Sequence, residues 1–436
     1  MKEGYVNLLT QLDGKIPILK AIPFGIQHVL TMFVGNLAPI IVVSSQINMT
    51  LDETTSLIQT AIFIAGIASI IQMYPIFKIG SGLPIIMGIS FPFVGVLSYV
   101  GINYGYETVI GSVIFAGIIE GLLGIYIKYI RKLITKVVSA CVVISIGFSL
   151  LPVGASSFVG YNNNDFGNGI YPLIGFITLF SSILFQIFTK SYIRQLSVFF
   201  GLVVGYIFSC FFGIVDFSQL TGVNIVSLPS IIPYKPDFRV IPMISVTCVA
   251  FISAAETIGD TTALTSIIFN REPTDSELSG SLRCDGFLSS FSGLFGCMPL
   301  TSFTQNIGLI KISKVINRFA IMIGAVILII VGTIPQIGRI FATLPEPVLG
   351  GCTIMMFGSI LVTGMEMLIN SGLNYRNLLI ASLSLSIGIG FTSVEGLFDL
   401  FPRIIGDIIG HNSISLVFLV GVILDLLLPK KLEREA

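Results

Sequence analysis

Two carboxylates stand four residues apart in the apolar stretch Ser253-Ala-Ala-Glu256-Thr-Ile-Gly-Asp260. That spacing puts both on one face of a helix. An apolar site cannot comfortably hold both ionised, so one is expected to be protonatable near neutral pH, a physical basis for coupling to protons. Glu256 reads as a pathway residue, since acidic groups deep in a span are costly and mark function. Asp260 has a second reading, as a helix-end residue at a membrane interface. Gln27 and His28 sit early in another apolar stretch, where a histidine serves equally as a hydrogen-bonded packing residue. Asp285 stands two residues from Arg283, so an interfacial ion pair competes with any functional role. Glu120 lies among glycines, and packing and function are both open to it. Glu346, Glu395 and Asp399 fall near predicted span ends and read as loop carboxylates.

Enzymatic and metal chemistry find little footing. There are only two histidines, His411 falls in a loop, and no nucleophile–base pair is apparent. The cysteines, Cys141, Cys210, Cys248, Cys284, Cys297 and Cys352, show neither CxxC nor metal-ligand spacing and read as small apolar residues. No cofactor and no metal are expected.

The elements that must position these residues are membrane spans. The hydrophobic fraction is 54%, the mean hydropathy is +0.95 and only 11% of residues are charged. A soluble domain carries about 25% charged residues, and a chain of 436 residues could not cover a water-facing surface with so few. A net charge of zero gives no reason to expect nucleic acid as a partner. Trp is absent, so Tyr and Phe must form any interfacial belt. Residues 1–20 carry Glu3, Asp13, Lys15 and Lys20 and lack a cleavable signal pattern, so the first span is expected to lead insertion.

A helix needs about 20 apolar residues to cross a roughly 30 Å hydrocarbon core. Apolar runs lie near 22–44, 54–77, 82–98, 107–127, 133–151, 169–188, 195–214, 241–259, 283–297, 299–312, 319–336, 346–369, 376–394 and 413–429, which predicts fourteen segments. With the N-terminus cytoplasmic, the inner side receives nineteen Lys and Arg residues, among them Lys128, Arg131, Lys132, Arg283 and Arg318. Only Lys235, Arg239, Arg339 and Arg403 fall outside. This asymmetry is the one that orients spans in membranes, and it places both termini inside.

Fourteen divides into seven plus seven, and an odd number per half inverts one half relative to the other, as in many secondary transporters. The third and tenth segments are then equivalent, and both are too interrupted to cross as plain helices. One reads Gly80-Ser-Gly-Leu-Pro84-Ile-Ile-Met-Gly-Ile-Ser90-Phe-Pro-Phe93, the other Gly296-Cys-Met-Pro299-Leu-Thr-Ser-Phe-Thr-Gln305-Asn-Ile-Gly308. Aligning the prolines sets Ser90 opposite Gln305. Each segment is expected to run as a short strand and then a half-helix, with both helix N-termini aimed at one cavity near the midplane. The plainer alternative is that Pro and Gly only kink two packing helices.

At these residues the chain resembles the nucleobase–ascorbate transporter family (nucleobase:cation symporter-2). Gln305-Asn-Ile-Gly308, with Ser313 and Lys314 downstream, resembles that family's signature, Ala255-Glu256-Thr-Ile-Gly-Asp260 its segment-eight motif, and Gln27-His28 its segment-one motif. The three motifs stand in order across nearly the whole chain. The resemblance implies an all-α polytopic membrane protein with core and gate subdomains. Its parts are a cytoplasmic segment 1–21, core segments 1–4 over 22–128, gate segments 5–7 over 129–240, core segments 8–11 over 241–340, gate segments 12–14 over 341–429, and a cytoplasmic tail 430–436. It further implies that Glu256 and Gln305 hydrogen-bond a base that Phe91 and Phe303 flank, that Ser90 lines the cavity, and that His28 and Asp260 form a polar network to which Asp285 can belong.

The implied function is uptake of a purine nucleobase, xanthine or uric acid, by alternating access in the cell membrane. The coupling cation would be a proton, with sodium left open, and the assembly a homodimer. Gln305 is what the purine carriers of the family resemble; uracil carriers have Glu there, and His where this chain has Asp260. Ser90 departs from the Asn of some xanthine carriers, and its smaller side chain leaves room for the extra carbonyl of urate. The chemistry agrees. A xanthine-like base presents N–H donors beside carbonyl acceptors, and a carboxylate that only accepts, paired with an amide that does both, can meet such an edge. Competing readings are a uracil carrier, an anion exchanger of the same architecture and an intramembrane enzyme. An anion exchanger would need a basic residue aimed at the cavity, and segments 3, 8 and 10 carry none mid-span.

Overall fold

The structure is a computed structural model that describes residues 8–129, 134–161, 167–190, 192–220, 224–394, 396–401, 406, 410 and 412–429. Arg131, Lys132, Glu395, Arg403, His411 and the tail 430–436 lie outside the described residues.

Apolar runs become helices because in lipid every backbone polar group must be satisfied within its own segment. In chain order these are α1 (Ile18–Gln46), α2 (Leu51–Met73), the strand β1 (Met87–Ile89), α3 (Val94–Tyr104), α4 (Tyr106–Ile125), α5 (Lys136–Phe158), α6 (Ile170–Phe188) and α7 (Ser197–Phe211). Then follow α8 (Val240–Phe269), α9 (Asp275–Leu294), the strand β2 (Leu300–Ser302), α10 (Thr304–Ser313), α11 (Arg318–Val331), α12 (Glu346–Asn370), α13 (Tyr375–Thr392) and α14 (Ser413–Leu427). Among the described residues seven of these helices are long and apolar enough to cross a membrane, and α11 with the short helix Pro335–Ala342, bent 85° from it, makes an eighth. The chain is a multi-pass membrane protein.

Sequence-coded signals set the helix ends. Thr50 with Glu53, and Thr274 with Glu277, close reciprocal capping boxes that start α2 and α9. Asn317, Asn374 and Asn412 cap α11, α13 and α14 with their side chains. Gly105, at φ +89°, makes the sharp turn between α3 and α4. Outside the helices, Asp237 accepts hydrogen bonds from Arg239 Nε at 2.8 Å and Thr108 Oγ1 at 3.1 Å. Those two donors hold its carboxyl below the usual carboxylate range.

Two of the boundaries that differ from the sequence reading bear on the site. The eighth segment does not stop at 259: α8 runs to Phe269, where Asn270 ends it with a left-handed backbone. Its polar second half stays helical because its threonines satisfy themselves: Thr262 donates to Ile258 O at 2.7 Å and Thr265 to Thr261 O at 2.9 Å. The ninth segment starts at Asp275, not 283. Its serines find partners across helix seams: Ser279 donates to Gly124 O at 2.6 Å, and Ser281 accepts from Gln72 Nε2 at 2.7 Å. Asp260 and Asp285 therefore lie well inside their helices rather than at their ends.

The packing follows a pairwise pattern. Helices α1 and α2 pack on α11, as α8 and α9 pack on α4. Helix α5 packs on α12; α6 and α7 lean on α12 as α13 and α14 lean on α5. The first cluster meets the second mainly through α8 against α5 and α14, and through α1 against α7 and α12. Glycines allow the closest seams: a Cβ on Gly25 would lie 2.6 Å from Gly324 N, and one on Gly286 2.0 Å from Gly121 N.

Between these seams β1 pairs antiparallel with β2, with Met87 opposite Ser302, Gly88 opposite Thr301 and Ile89 opposite Leu300. Ser90 N donates to Pro299 O at 2.9 Å and Phe303 N to Ile86 O at 3.0 Å, which extends the ladder at both ends. A two-stranded sheet has two open edges, and buried edge groups need partners. Side chains supply them. Met87 N donates to Ser69 Oγ at 2.9 Å, and Ile89 N to Asn36 Oδ1 at 2.7 Å. On the other edge Leu300 N donates to Ser289 Oγ at 2.8 Å, and Ser292 donates to Met298 O at 2.7 Å. Polar residues of α1, α2 and α9 thus hold the irregular backbone in the interior.

Candidate functional site

Directly after each strand the chain turns helical: β1 runs through Ser90 and a 3-10 turn, Phe91–Phe93, into α3, and β2 runs through Phe303 into α10. A cavity of about 220 Å³ opens at this junction. That is below the roughly 300–1,000 Å³ of drug-sized sites and suits one small flat ring. Glu256 of α8, Phe91, Phe303 and Gln305 all line it. The first turn of α10 brings Thr304 and Gln305 to the cavity, while its Asn306 N–H is already bonded to Phe303 O at 3.0 Å.

Glu256 Oε2 has no partner within the protein. Its acceptor capacity is open to whatever occupies the cavity. The Phe303 ring is wedged between Gly35 and Gly88, where a Cβ would come within 2.5 Å and 2.6 Å of it. Phe91 packs edge-on against Phe357, with ring centroids 5.6 Å apart.

Three residues singled out in the sequence stand behind the wall rather than on it. Asp260, buried, accepts from Ser302 Oγ at 2.7 Å and from Thr304 Oγ1 at 2.9 Å. Asp285, fully buried, accepts from Thr257 Oγ1 and from Thr301 Oγ1, the latter at 3.3 Å. These two carboxyls fasten β2 and the start of α10 to α8 and α9. The reading of Asp285 as half of an interfacial ion pair with Arg283 is corrected: its partners are hydroxyls, because α9 begins ten residues earlier and carries Asp285 into the interior. His28 is buried with Nδ1 unpartnered, and its carbonyl accepts from Asn306 Nδ2 at 3.3 Å. Among the described residues no hydrogen bond joins His28 to Asp260, whose carboxyl is already held by Ser302 and Thr304. Ser90 is buried one residue before Phe91 and is not among the cavity-lining residues; its hydroxyl has no protein partner.

Sequence reasoning missed the hydroxyls of β2. Thr301, Ser302 and Thr304 line the cavity and connect it to Asp285 and Asp260. The run Leu-Thr-Ser-Phe-Thr-Gln could have signalled them, since three hydroxyls in an apolar segment need partners. The far wall was also missed: Val143 of α5, Ser359, Ile360 and Thr363 of α12, and Gln195 from the single turn between α6 and α7. Nothing local in the sequence marks those residues, since long-range packing alone brings them there. The arrangement offers an acceptor-only carboxylate, a two-way amide and several hydroxyls around a slot with aromatic walls. No Lys or Arg is among the lining residues.

Residues 19–397 match the permease family of xanthine and uric acid carriers. The chain is 31% identical to a xanthine permease of Bacillus subtilis (strain 168), covering 96% of this chain and 97% of that one. It is 33% identical to the uric acid permease PucK of the same organism, over 87% and 89%. With the xanthine permease XanQ of Escherichia coli (strain K12) the identity is 30%, over 98% and 95%. By fold it is similar to the transmembrane domain of the cyanobacterial bicarbonate transporter BicA, with a TM-score of 0.56 at 16% identity, covering 94% of this chain and 98% of that one. It is likewise similar to the murine anion transporter Slc26a9, with a TM-score of 0.64 at 10% identity over 98% and 72%. The structural likeness speaks for the fold alone; the sequence match, over nearly the whole chain, shows that the protein belongs to the nucleobase–ascorbate transporter family, a family of transporters rather than enzymes.

Proposed function

We propose that the protein takes up a purine nucleobase, xanthine or uric acid, coupled to a cation by alternating access. One observation carries this reading: Glu256 and Gln305 share a cavity whose walls hold Phe91 and Phe303 and come from both helix clusters. Glu256 accepts N–H bonds from the base, and Gln305 donates to a carbonyl or ring nitrogen while accepting from a neighbouring N–H. Relatives named xanthine and uric acid permeases support the substrate class. Gln305 favours a purine over uracil, and a lining without a cation disfavours an inorganic anion.

Helices α1–α4 and α8–α11 form the core that holds substrate, and α5–α7 with α12–α14 form the gate. In this reading the chain spans fourteen times as two inverted repeats, with both ends in the cytoplasm. Each third segment of a repeat is a strand plus half-helix. The paired packing of α1 and α2 on α11 and of α8 and α9 on α4 supports such a repeat, since a two-fold axis exchanges the pairs. Because the cavity lies between core and gate, sliding one against the other exposes it to either side in turn. The coupling cation is a proton, carried by the carboxyls at the site, and the carrier works as a homodimer. Counterflow in proteoliposomes with labelled xanthine, urate, uracil and sulfate tests the substrate. Xanthine or urate is expected to exchange; exchange of uracil or sulfate alone overturns the reading.

A further inference from the structure

Glu120 is a carboxyl that neither the cavity nor the fold uses. It lies on α4, fully buried, and neither of its oxygens has a hydrogen-bond partner. A carboxylate without a donor is among the most expensive groups to bury, whereas an apolar residue of similar size would cost nothing. Its neighbours make the placement specific. The seam of α4 with α9 is in backbone contact, with a Cβ on Gly286 lying 2.6 Å from the Glu120 carbonyl carbon. That puts Glu120 beside Asp285, whose Oδ1 is also unpartnered. From α8, Ser253 and Glu256 face it, and the Ser253 hydroxyl has no partner either. One turn further along α4, Gly124 packs on the Arg283 stem, and Arg283 Nε is buried without a partner. The remaining ionisable side chains of the packed elements lie elsewhere. Cys284 turns to Ala68 O, Asp260 is held at β2, and Tyr104 of α3 adjoins the start of α4, about 20 Å along the helix from Glu120.

Depth orders these groups. Asp285 lies ten residues into α9, about 15 Å along it; Glu120 lies five residues from the end of α4, about 7.5 Å. Beyond it, on the face assigned to the cytoplasm, an open cavity of about 550 Å³ is lined by Arg283, Ser279, Asp275, Tyr126 and Lys128. Carboxyl oxygens without a protein partner, Glu256 Oε2, Asp285 Oδ1 and both of Glu120, thus run from the binding cavity toward Arg283 at that opening.

We propose that Glu120 is a proton-relay residue on the cytoplasmic side of the site. The O–H bond of a protonated Asp285 breaks, its proton forms a new O–H bond on the Glu120 carboxylate, and Glu120 then releases it to water in the cavity at Arg283. The Ser253 hydroxyl can bridge the first transfer. The proposal rests on the proton-coupled reading above, and the test separates the two. Proteoliposomes of the parent, Glu120→Gln and Glu120→Asp are assayed for xanthine counterflow, which needs no net proton movement, and for accumulation under an imposed pH gradient. Glu120→Gln is expected to keep counterflow near the parent level while losing at least about tenfold in gradient-driven accumulation. Glu120→Asp, which keeps a proton carrier, is expected to recover part of it. A parent that ignores the pH gradient overturns the coupled reading, and the relay with it. A parent that responds, matched by Glu120→Gln, overturns the relay alone. Loss of counterflow and accumulation together in both variants makes Glu120 a packing residue and also overturns it.

Discussion

Replacing Glu256 by Gln tests the site most directly, because the structure separates its effects on binding and on stability. In the unliganded protein Glu256 Oε2 has no partner, so the substitution breaks no hydrogen bond there that holds the fold. It also removes a charge from an apolar interior, so the melting temperature should be no lower than the parent's. Binding should fall. A carboxylate oxygen that accepts an N–H from the base becomes an amide NH₂ that opposes it. The loss of a charge-assisted bond together with the mismatched donor should cost about 2–4 kcal/mol. At about 1.4 kcal/mol per tenfold, that is roughly a 30- to 800-fold weaker dissociation constant. Equilibrium binding of labelled xanthine to purified protein, alongside thermal unfolding of the same preparation, reads both quantities. Unchanged affinity with a lowered melting temperature would refute the reasoning, since Glu256 would then be supporting the fold.

Gln305→Glu takes away the amide donor and sets a second carboxylate across the cavity from Glu256. Most xanthine uptake should be lost while Gln305→Asn, which keeps the amide on a shorter arm, weakens binding less; parent-like uptake by Gln305→Glu would remove the case for a purine. Gly88→Ala brings a Cβ to 2.6 Å from the Phe303 ring and 3.0 Å from Asn36 Oδ1, so it should cost about 1–3 kcal/mol, visible as weaker binding as the ring is pushed into the cavity. Asp425→Ala removes the carboxylate bonded at 2.9 Å to Arg376, whose side chain is 6% exposed, and should lower unfolding stability by about 3–5 kcal/mol; a shift within error would mean that its backbone acceptors, Leu428 O and the carbonyl of residue 425, suffice. In a cysteine-free background, Asn224→Cys should react with an impermeant thiol reagent from outside and Lys128→Cys only after the membrane is opened. The reverse pattern would break the proposed orientation.

The spans were legible because lipid leaves so few alternatives for a backbone. Runs such as 22–44 and 346–369 lie within α1 and α12. Legibility failed where polar side chains satisfy each other inside the protein. The stretch from Asp260 to Thr265 and that from Asp275 to Asp285 look interfacial by hydropathy, yet Thr262, Thr265, Ser279 and Ser281 find partners within helices or across seams, so α8 and α9 are longer than apolarity suggests. The same effect left Asp285 open between an interfacial ion pair and an interior role, and its place ten residues into α9 favours the interior. At the site, Glu256 and Gln305 stood out because each is expensive in its segment. Ser359 and Thr363 did not, because a hydroxyl bonded back to its own helix is ordinary in a membrane, and for them as for Gln195 only packing brings the residue to the cavity. A motif fixes order along the chain and not contact in space: Ser302 and Thr304, rather than His28, make the hydrogen bonds that Asp260 accepts among the described residues.

The two strand–helix units share one device but not one chemistry. Along β1 and its turn the sequence is Met-Gly-Ile-Ser-Phe-Pro-Phe, and the open edge is held by Asn36 and Ser69 from neighbouring helices. Along β2 it is Leu-Thr-Ser-Phe-Thr-Gln, whose own hydroxyls reach Asp260 and Asp285. The first unit therefore contributes shape, through Phe91 and the Gly88 slot, and the second contributes hydrogen bonds. Under the proposed binding mode a base would make its directional contacts with Glu256 of α8 and Gln305 of α10, while its ring faces would meet aromatic residues and the proposed gate. Were the polar contacts divided between core and gate, any relative motion would break some of them mid-cycle, at a cost of about 1–3 kcal/mol for each buried group left unpaired. In the proposed mechanism, keeping them on α8 and α10 would let the gate pass over a bound base without that penalty, which is what a carrier that must open to both sides requires.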